Sequence, residues 1–156
     1  MRWYFRVLKK YAVFKGRARR TEYWMFFLCD WIIIFVLFLI DSWFAMKSQG
    51  IIAYDGRVFI RFLLTQTDVN QSNLILTYYI ATLLPTLAVI VRRLHDTGKS
   101  GFWLLIMLIL MVVFEIADVG LFVLIISICL FVLLGKEGDP MENAYGPNPK
   151  EEEQSV

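Results

Sequence analysis

The sequence has few of the residues from which proteins build metal or thiol sites. Among its 156 residues there are two cysteines and one histidine. Cys29 and Cys129 both lie inside apolar runs, where a free cysteine behaves as a small apolar side chain. His95 has no other histidine, no cysteine and no acidic cluster beside it, so the ligand spacing of a zinc site does not occur. We therefore expect free thiols, no metal site and no cofactor.

Long polar stretches are also scarce. Hydrophobic residues make up 58% of the chain, which is above the range of soluble globular domains. They are clumped into runs, and a run of about 18 or more apolar residues is long enough to cross the hydrocarbon core as a helix. The runs predict an all-α membrane protein with four transmembrane helices, over residues 23–40, 74–91, 102–114 and 119–134.

The last two of these helices come from one apolar block, residues 102–134, which Glu115 and Asp118 interrupt. A helix over 102–114 reaches only about 20 Å, against roughly 30 Å of hydrocarbon. Two interpretations stay open. The block is either a tight hairpin that crosses twice, with local thinning of the bilayer, or a re-entrant hairpin. Both return the chain to the side from which it entered.

The basic residues indicate the orientation. With four crossings, thirteen of the 16 Lys and Arg residues lie on one face, in residues 1–20, 92–101 and 135–156. The positive-inside rule then places both termini in the cytoplasm. The predicted organisation is a basic helix in 1–20, a bundle in 21–134 with a periplasmic segment at 42–73 and a cytoplasmic loop at 92–101, and a cytoplasmic tail in 135–156 with a disordered end.

The N-terminal residues 2–14 have a basic and an aromatic face when they are plotted as a helix. Trp3 and Phe5 lie on one arc, and Arg6 and Lys9 lie on the other. This pattern predicts an amphipathic helix in the plane of the membrane surface. Beside a membrane anchor it favours lipid over nucleic acid, and we expect no nucleic-acid partner.

Glycines mark two further turns. Gly16 is expected to end the N-terminal helix in the left-handed conformation. Within residues 42–73, two short apolar runs flank Asp55 and Gly56. This pattern indicates a β-hairpin, with a short interfacial helix as the alternative.

The stretch VRRLHDTGKSGFW, Val91–Trp103, concentrates charge between two apolar runs. Its TGKS is similar to the end of a phosphate-binding loop, but Arg93 stands where that motif needs a glycine, and a membrane helix precedes it instead of a strand. Gly98 permits a sharp reversal of the chain. A turn alone does not account for His95 and Asp96, and neither has an activated nucleophile beside it. We predict no catalytic residue here.

Asp30 lies roughly 10 Å into the first predicted helix. A carboxylate at that depth is usually paired or functional. At the same depth in an antiparallel neighbour, Pro85 would free the carbonyl of Ala81, and Thr82 and Thr86 supply hydroxyls. We predict that Asp30 is protonated or hydrogen-bonded to this polar patch, with a proton or ion pathway as the alternative.

Three motifs occur in order along the chain: FKGRARRTEYW (14–24), VRRLHDTGKSGFW (91–103) and NAYGPNP (143–149). On these motifs the chain resembles, over nearly its whole length, the domain of unknown function 805 family of small bacterial inner-membrane proteins. The resemblance implies a helical inner-membrane fold and implies no activity. Ala144 stands where the family usually has a basic residue, and residues 42–73 are longer and more polar than the resemblance implies.

The charge count places all three motifs on the cytoplasmic face, and the resemblance suggests that they lie near one another there. If their charges pair, with Glu22, Asp96, Asp139 and Glu142 as counter-charges, they form a polar cap that fixes the inner ends of the helices. If they do not pair, they form an anion site for lipid headgroups. The predicted site consists of Arg17, Arg19, Arg20, Arg92, Arg93, His95, Asp96, Lys99, Asn143 and Tyr145.

These observations favour a non-enzymatic membrane protein with a structural or interaction role. Its expected partners are membrane lipids, including anionic ones, and a second copy or another membrane protein. The first alternative is a small oligomeric transporter or channel subunit that uses Asp30. The second is an enzyme acting on lipid headgroups with His95 and Asp96, for which the sequence offers no complete set of catalytic groups.

Overall fold

The computed structural model describes residues 2–48 and 73–152. Within them the chain is helical and contains no strand, which confirms the predicted all-α class. The feature predicted around Asp55 and Gly56 lies outside the described residues. The helices are α1 (Arg2–Lys9), α2 (Arg20–Ser48), α3 (Asn73–Asp96), α4 (Phe102–Ile116), α5 (Gly120–Gly135) and α6 (Pro149–Glu152).

Helices α2 and α3 are long and apolar enough to cross a membrane, over Arg20–Phe44 and Leu74–Asp96. Both extend beyond the predicted limits of 23–40 and 74–91. A helix continues wherever the next backbone N–H reaches its carbonyl four residues back, so polar residues at the end of an apolar run stay helical. Residues 92–96 are therefore the last turn of α3, and the prediction that they belong to a loop is wrong.

Helices α4 and α5 form a hairpin at the predicted place. They have 15 and 16 residues, or about 22 and 24 Å at the usual rise. Asp118 turns the chain with a φ of 54°, and the rings of Phe114 and Phe122 stack with centroids 4.8 Å apart. Large apolar side chains such as Ile116 and Leu121 are exposed along both helices, as is expected of surfaces that face lipid.

Helix α1 is shorter than the predicted helix over 2–14. The N–H of Lys10 donates to the carbonyl of Val7 at 3.0 Å and closes the final turn. Val7 is fully buried whereas Phe5 is 56% exposed, so one side of α1 packs on the protein. Gly16 has the expected positive φ of 86°, but it follows the end of α1 by several residues, and its predicted role as the helix cap is wrong.

The chain divides into two compact units, residues 1–27 with 84–156 and residues 28–83. The first unit contains α1, the start of α2, the end of α3, the α4–α5 hairpin and the tail. These elements meet in one apolar core, which positions the polar segments at their ends. The core consists of Val7, Ala18, Tyr23, Phe26, Val89, Leu94, Leu104 and Leu134.

The tail after α5 is ordered by turns, with an isolated backbone bridge between Asn143 and Gly146. The end of the tail was predicted to be disordered, but residues 150–152 are helical. The side chain of Asn148 accepts a hydrogen bond from the N–H of Lys150 at 3.0 Å, and Pro149 occupies the first helical position, where its fixed φ is favourable. Residues 153–156 lie outside the described part of the chain.

Candidate functional site

The carboxylate of Asp96, the last residue of α3, is buried and accepts hydrogen bonds from two arginines. Arg17 Nε donates to its Oδ1 at 2.9 Å, and Arg93 Nη1 donates to its Oδ2. The side chain of Asp96 is 6% exposed, and those of Arg17 and Arg93 are 1% and 0% exposed. Arg93 precedes Asp96 by three positions on the helix, so the two side chains lie on one face. The carboxylate is thus a buried bridge between two guanidinium ions.

The remaining donors of Arg17 bind backbone carbonyls of the tail. Its Nη1 donates to Met141 at 2.7 Å and to Gly146 at 3.3 Å, and its Nη2 donates to Asp139. A planar guanidinium offers five N–H donors in a fixed fork, so one side chain can bind several acceptors at once. Arg17 therefore fixes the path of residues 139–146.

Arg93 performs the same role one segment earlier in the tail. Its Nε donates to the carbonyl of Leu134 at 3.0 Å, and its Nη2 donates to the carbonyl of Lys136. Helix α5 ends at Gly135, and its last carbonyls have no partner within the helix. Arg93 supplies that partner with a positive charge, which the helix dipole favours at a C-terminus.

A second buried ion pair joins α3 to the start of α2. Arg92 Nη1 donates to Glu22 Oε1 at 2.9 Å, and the two side chains are 1% and 5% exposed. The backbone carbonyl of Arg92 accepts a hydrogen bond from the N–H of Ala18 at 3.0 Å. Nη2 of Arg92 is buried and has no hydrogen-bond partner in the described part of the chain. This pair couples α2 and α3 beside the Asp96 bridge.

An aromatic stack also holds the tail against the last turn of α3. The rings of His95 and Tyr145 are nearly parallel, at 3°, with centroids 3.9 Å apart. Nδ1 of His95 lies 3.2 Å from the carbonyl oxygen of Gly16. Asn143 binds both neighbours, because its Nδ2 donates to the carbonyl of His95 at 3.0 Å and to Asp139 Oδ2 at 2.9 Å. The tail is therefore fixed at its aromatic, amide and carboxylate side chains.

Two glycines permit the close approach of these segments. A Cβ on Gly138 would overlap the carboxylate of Asp96, and a Cβ on Gly98 would lie 3.0 Å from Asp139 Oδ2. Gly98 also has a φ of 70°, which side chains with a Cβ disfavour. The predicted reversal at Gly98 is confirmed, whereas no sequence motif pointed to Gly138.

We call this assembly the polar cap. It brings together the predicted Arg17, Arg93, His95, Asp96, Asn143 and Tyr145, and it includes Arg92 through the pair with Glu22. Lys99 lies apart from it, with its ammonium 5.5 Å from the ring centroid of Trp103. Glu22 and Asp96 pair with arginines as predicted counter-charges, whereas the carboxylate of Asp139 accepts from the amide of Asn143 and Glu142 is exposed. The cap consists of Arg17, Glu22, Arg92, Arg93, His95, Asp96, Gly138, Asp139, Asn143 and Tyr145.

A cleft of about 500 Å³ opens beside the cap. Arg20 Nη2 and Glu137 Oε1 pair in its wall at 2.6 Å, with side chains 41% and 83% exposed. Glu137 and Lys150 were not predicted as site residues, because isolated charges in a tail resemble ordinary solvated residues. The cleft is lined by Arg19, Arg20, Thr21, Asp96, Glu137, Gly138, Asp139, Pro140, Asn148, Pro149 and Lys150.

The second unit contains the other predicted polar site. The hydroxyl of Tyr78 donates to Asp30 Oδ1 at 2.6 Å. Thr82 and Thr86 are the two hydroxyl residues that were predicted beside Asp30. Thr82 Oγ1 donates to the carbonyl of Tyr78 at 2.9 Å, and Thr86 belongs to the first unit. The sequence analysis did not predict Tyr78, because a tyrosine within an apolar run resembles the apolar residues around it. Its hydroxyl nevertheless needs a hydrogen-bond partner when it is buried.

Comparison with known proteins agrees with this architecture. The model of the family described as "Protein of unknown function (DUF805)" matches residues 11–147. Inner membrane protein YhaH of Escherichia coli (strain K12) is 37% identical over 150 residues, which are 96% of this chain and 98% of that protein. Inner membrane protein YhaI of the same strain is 35% identical over 150 residues, which are 96% of this chain and 97% of that protein. No solved structure matches the chain.

Both relatives are inner membrane proteins of a bacterium, and they match almost the whole of this chain. Together with the two long apolar helices, they support a location in the bacterial inner membrane. The family match covers the segment before α2, the end of α3 and the tail through Pro147, which are the segments that build the polar cap. The chain belongs to the DUF805 family of proteins of unknown function.

Proposed function

We propose that this chain is a non-catalytic inner-membrane protein that crosses the bilayer four times, with both termini in the cytoplasm. Its polar cap fixes the cytoplasmic ends of the helices and presents the tail to lipid headgroups and to a membrane partner. The observation that carries the proposal is the double ion pair of Asp96 with Arg17 and Arg93, whose other donors bind tail carbonyls. The cap is thus built as a brace between segments.

The contacts within the first unit favour this topology. The segment before α2 binds the end of α3 through Arg17 and Asp96, so both lie on one side of the membrane. The tail binds the same two residues, because Arg17 donates to the carbonyl of Met141 and the N–H of Asp139 donates to the carbonyl of Asp96, so the α4–α5 hairpin starts and ends on that side. Thirteen of the 16 Lys and Arg residues belong there as well, which the positive-inside rule assigns to the cytoplasm.

The chemistry of the cap argues against catalysis at His95 and Asp96. Each oxygen of Asp96 already accepts a hydrogen bond from a guanidinium, so neither oxygen is free to accept a substrate proton. The ring of His95 is covered on one face by Tyr145 and bonded to Gly16. A general base must reach a substrate proton directly or through one water, and the positions of these partners oppose that approach.

Lipid is the partner that the exposed surfaces favour. The α4–α5 hairpin presents large apolar side chains such as Phe102 and Leu124 on its outside, and bare apolar area of this extent belongs in a membrane or an interface. Arg17 and Arg93 direct their side-chain donors to acceptors within the protein, and Nη2 of Arg92, which has no partner among the described residues, is buried, so a headgroup phosphate would meet the basic residues of the surface. These are the exposed Lys9 and Lys10 and the cleft residues Arg19, Arg20 and Lys150.

Cysteine labelling in intact cells tests the topology. In a Cys29→Ala/Cys129→Ala background, a membrane-impermeant maleimide should label Ala117→Cys at the hairpin tip from outside the inner membrane. It should label Lys10→Cys and Glu142→Cys only after permeabilisation. Labelling of Ala117→Cys only after permeabilisation would identify a re-entrant hairpin, and external labelling of Glu142→Cys would overturn the orientation.

A further inference from the structure

The cleft beside the polar cap has both signs of charge on its walls. Arg19, Arg20 and Lys150 supply cations, and Glu137 and Asp139 supply carboxylates. The sixth charged wall residue is Asp96, whose two oxygens already bind Arg17 and Arg93. Such a lining is poorly suited to a simple anion, which would meet two carboxylates. It is complementary to a ligand with one negative and one positive group.

The cleft lies where apolar helices emerge into polar surroundings. Arg20 is the first residue of α2, and Glu137 follows the end of α5 by two positions. One helical turn farther along α2, the ring of Trp24 packs edge-on against Phe131 of α5, with centroids 4.8 Å apart. Tryptophan is enriched at the level of phospholipid headgroups. The cleft is therefore at headgroup height if α2 enters the bilayer here.

The ion pair across the cleft wall is easily exchanged. Arg20 and Glu137 are 41% and 83% exposed, and exposed pairs contribute little to stability. A ligand whose phosphate binds Arg20 and whose ammonium binds Glu137 would replace this one ion pair with two ion pairs. Asp139 Oδ2 accepts from the side chain of Asn143, which holds the carboxylate in place for a second contact.

From this arrangement we propose that the cleft binds the headgroup of a phospholipid that carries both a phosphate and a primary amine, as in phosphatidylethanolamine. Arg19, Arg20 and Lys150 receive the phosphate. Glu137 and Asp139 accept hydrogen bonds from the ammonium, which has three donors. A choline headgroup keeps the charge but has no N–H to donate, and a glycerol headgroup has no positive charge. The inference rests on the cytoplasmic, headgroup-level position of the cap under the proposed function.

The test is competitive lipid retention by the full-length protein. The protein is exchanged into micelles with equal amounts of phosphatidylethanolamine, phosphatidylcholine and phosphatidylglycerol of the same acyl chains, and bound lipid is counted by native mass spectrometry. We expect the ethanolamine lipid to be retained roughly tenfold over the choline lipid, since charge-assisted hydrogen bonds are lost with the latter. Equal retention of the three lipids, or a preference for phosphatidylglycerol, overturns the inference.

Three variants separate the two halves of the site. Glu137→Gln with Asp139→Asn should abolish the preference for ethanolamine over choline, whereas Lys150→Gln should weaken retention of both lipids. Glu137→Gln alone changes a side chain that is 83% exposed, so it should keep the fold and reduce the preference partially. Lys15→Gln changes an exposed basic residue outside the cleft; it is the matched control and should leave retention unchanged. An unaltered preference in the double variant overturns the inference.

Soluble competitors show whether the cleft binds the headgroup of a lipid or a free phosphate compound. Phosphoethanolamine added in excess should displace bound lipid only weakly, because it lacks the acyl chains. Full displacement by inorganic phosphate would mark a general anion site and overturn the inference. The maleimide labelling does not depend on which lipid the protein retains. If the labelling is as expected but the protein shows no preference among the lipids, only the assignment of the cleft is contradicted. External labelling of Glu142→Cys contradicts the proposed function and, with it, the headgroup-level position.

Discussion

Arg17 and Asp96 are 79 positions apart in the sequence, and Arg17 Nε donates to Asp96 Oδ1 at 2.9 Å with both side chains buried. This single contact joins the segment before α2 to the last turn of α3. The tail then closes over it through the other donors of Arg17. The polar cap is therefore formed by tertiary contacts between distant segments. We expect substitutions within it to have coupled effects on the free energy of unfolding.

Neutralising the bridging carboxylate should destabilise the protein strongly. Asp96→Asn keeps the size of the side chain but leaves the guanidinium ions of Arg17 and Arg93 buried without their counter-charge. Breaking a buried ion pair in this way typically costs about 3–5 kcal/mol. The free energy of unfolding, measured by SDS titration in mixed micelles with tryptophan fluorescence, checks this. Glu142→Gln removes an exposed carboxylate and should leave it unchanged; equal values for both variants would contradict the bridge.

The pair of Arg92 and Glu22 should behave as a coupled unit. Arg92→Leu and Glu22→Leu each leave one charge buried, so each should destabilise by about 3–5 kcal/mol. The double variant leaves no unpaired charge and should lose less than the sum of the two. A double-mutant cycle on the unfolding free energy gives the coupling. Additive losses would show that the 2.9 Å contact is not an energetic pair.

Glycine at position 138 should be indispensable for the tail. Gly138→Ala places a methyl group in the space of the Asp96 carboxylate, and overpacking of this kind costs about 1–3 kcal/mol. Gly120→Ala is the matched control, since nothing lies within 4 Å of its Cβ position. Alanine is the better helix former, so this control should be neutral or stabilising by up to about 1 kcal/mol. Equal thermal stability of the two variants would contradict the close contact.

Removal of one hydroxyl should test the site in the second unit. Tyr78→Phe deletes the donor to Asp30 and should destabilise by about 0.6–1.7 kcal/mol, the range for hydrogen bonds inside membranes. Tyr79→Phe changes a neighbouring tyrosine that is 50% exposed and should have little effect. In an Asp30→Leu background, Tyr78→Phe should lose its effect. An undiminished effect there would place the role of the hydroxyl elsewhere.

The guanidinium of Arg17 should be needed to hold the tail. Arg17→Lys keeps the charge, but one ammonium cannot reach Asp96 and the carbonyls of Met141 and Gly146 together. The tail should open more often, and cleavage by a glutamate-specific protease at Glu142 should accelerate by roughly tenfold if the tail loses about 1.4 kcal/mol of local stability. Arg19→Lys makes the same substitution at a neighbouring arginine and is the control, with an unchanged cleavage rate expected. Equal cleavage rates would contradict the role of Arg17.

Helices were predictable from sequence because long apolar runs carry their own signal. The α4–α5 hairpin appeared where Glu115 and Asp118 interrupt the block. Helix ends were less predictable. Residues 92–96 continue α3 although their charges suggested a loop, because backbone hydrogen bonding does not stop where hydrophobicity does.

Most members of the polar cap were predictable, but the pairing of its side chains was not. Three motifs and the charge count placed Arg17, Arg93 and Asp96 on one face. Nothing in them distinguished Glu22 from Asp96 as the partner of Arg92, because neighbouring arginines on a helix differ only in the direction each one points. Gly138 and Tyr78 carried no signal, since each acts through one tertiary contact.

By itself, the sequence determined that this is a helical membrane protein, and it predicted that most basic residues lie on one face. Apolar runs of this length lower the free energy in a bilayer only as helices, because there every backbone N–H and C=O must bond within the segment. The tertiary structure alone decided that the arginines of the cap bind tail carbonyls and a shared carboxylate. Every residue has a carbonyl, so no local pattern marks the ones that Arg17 and Arg93 select; only the path of the folded chain brings them within hydrogen-bonding distance.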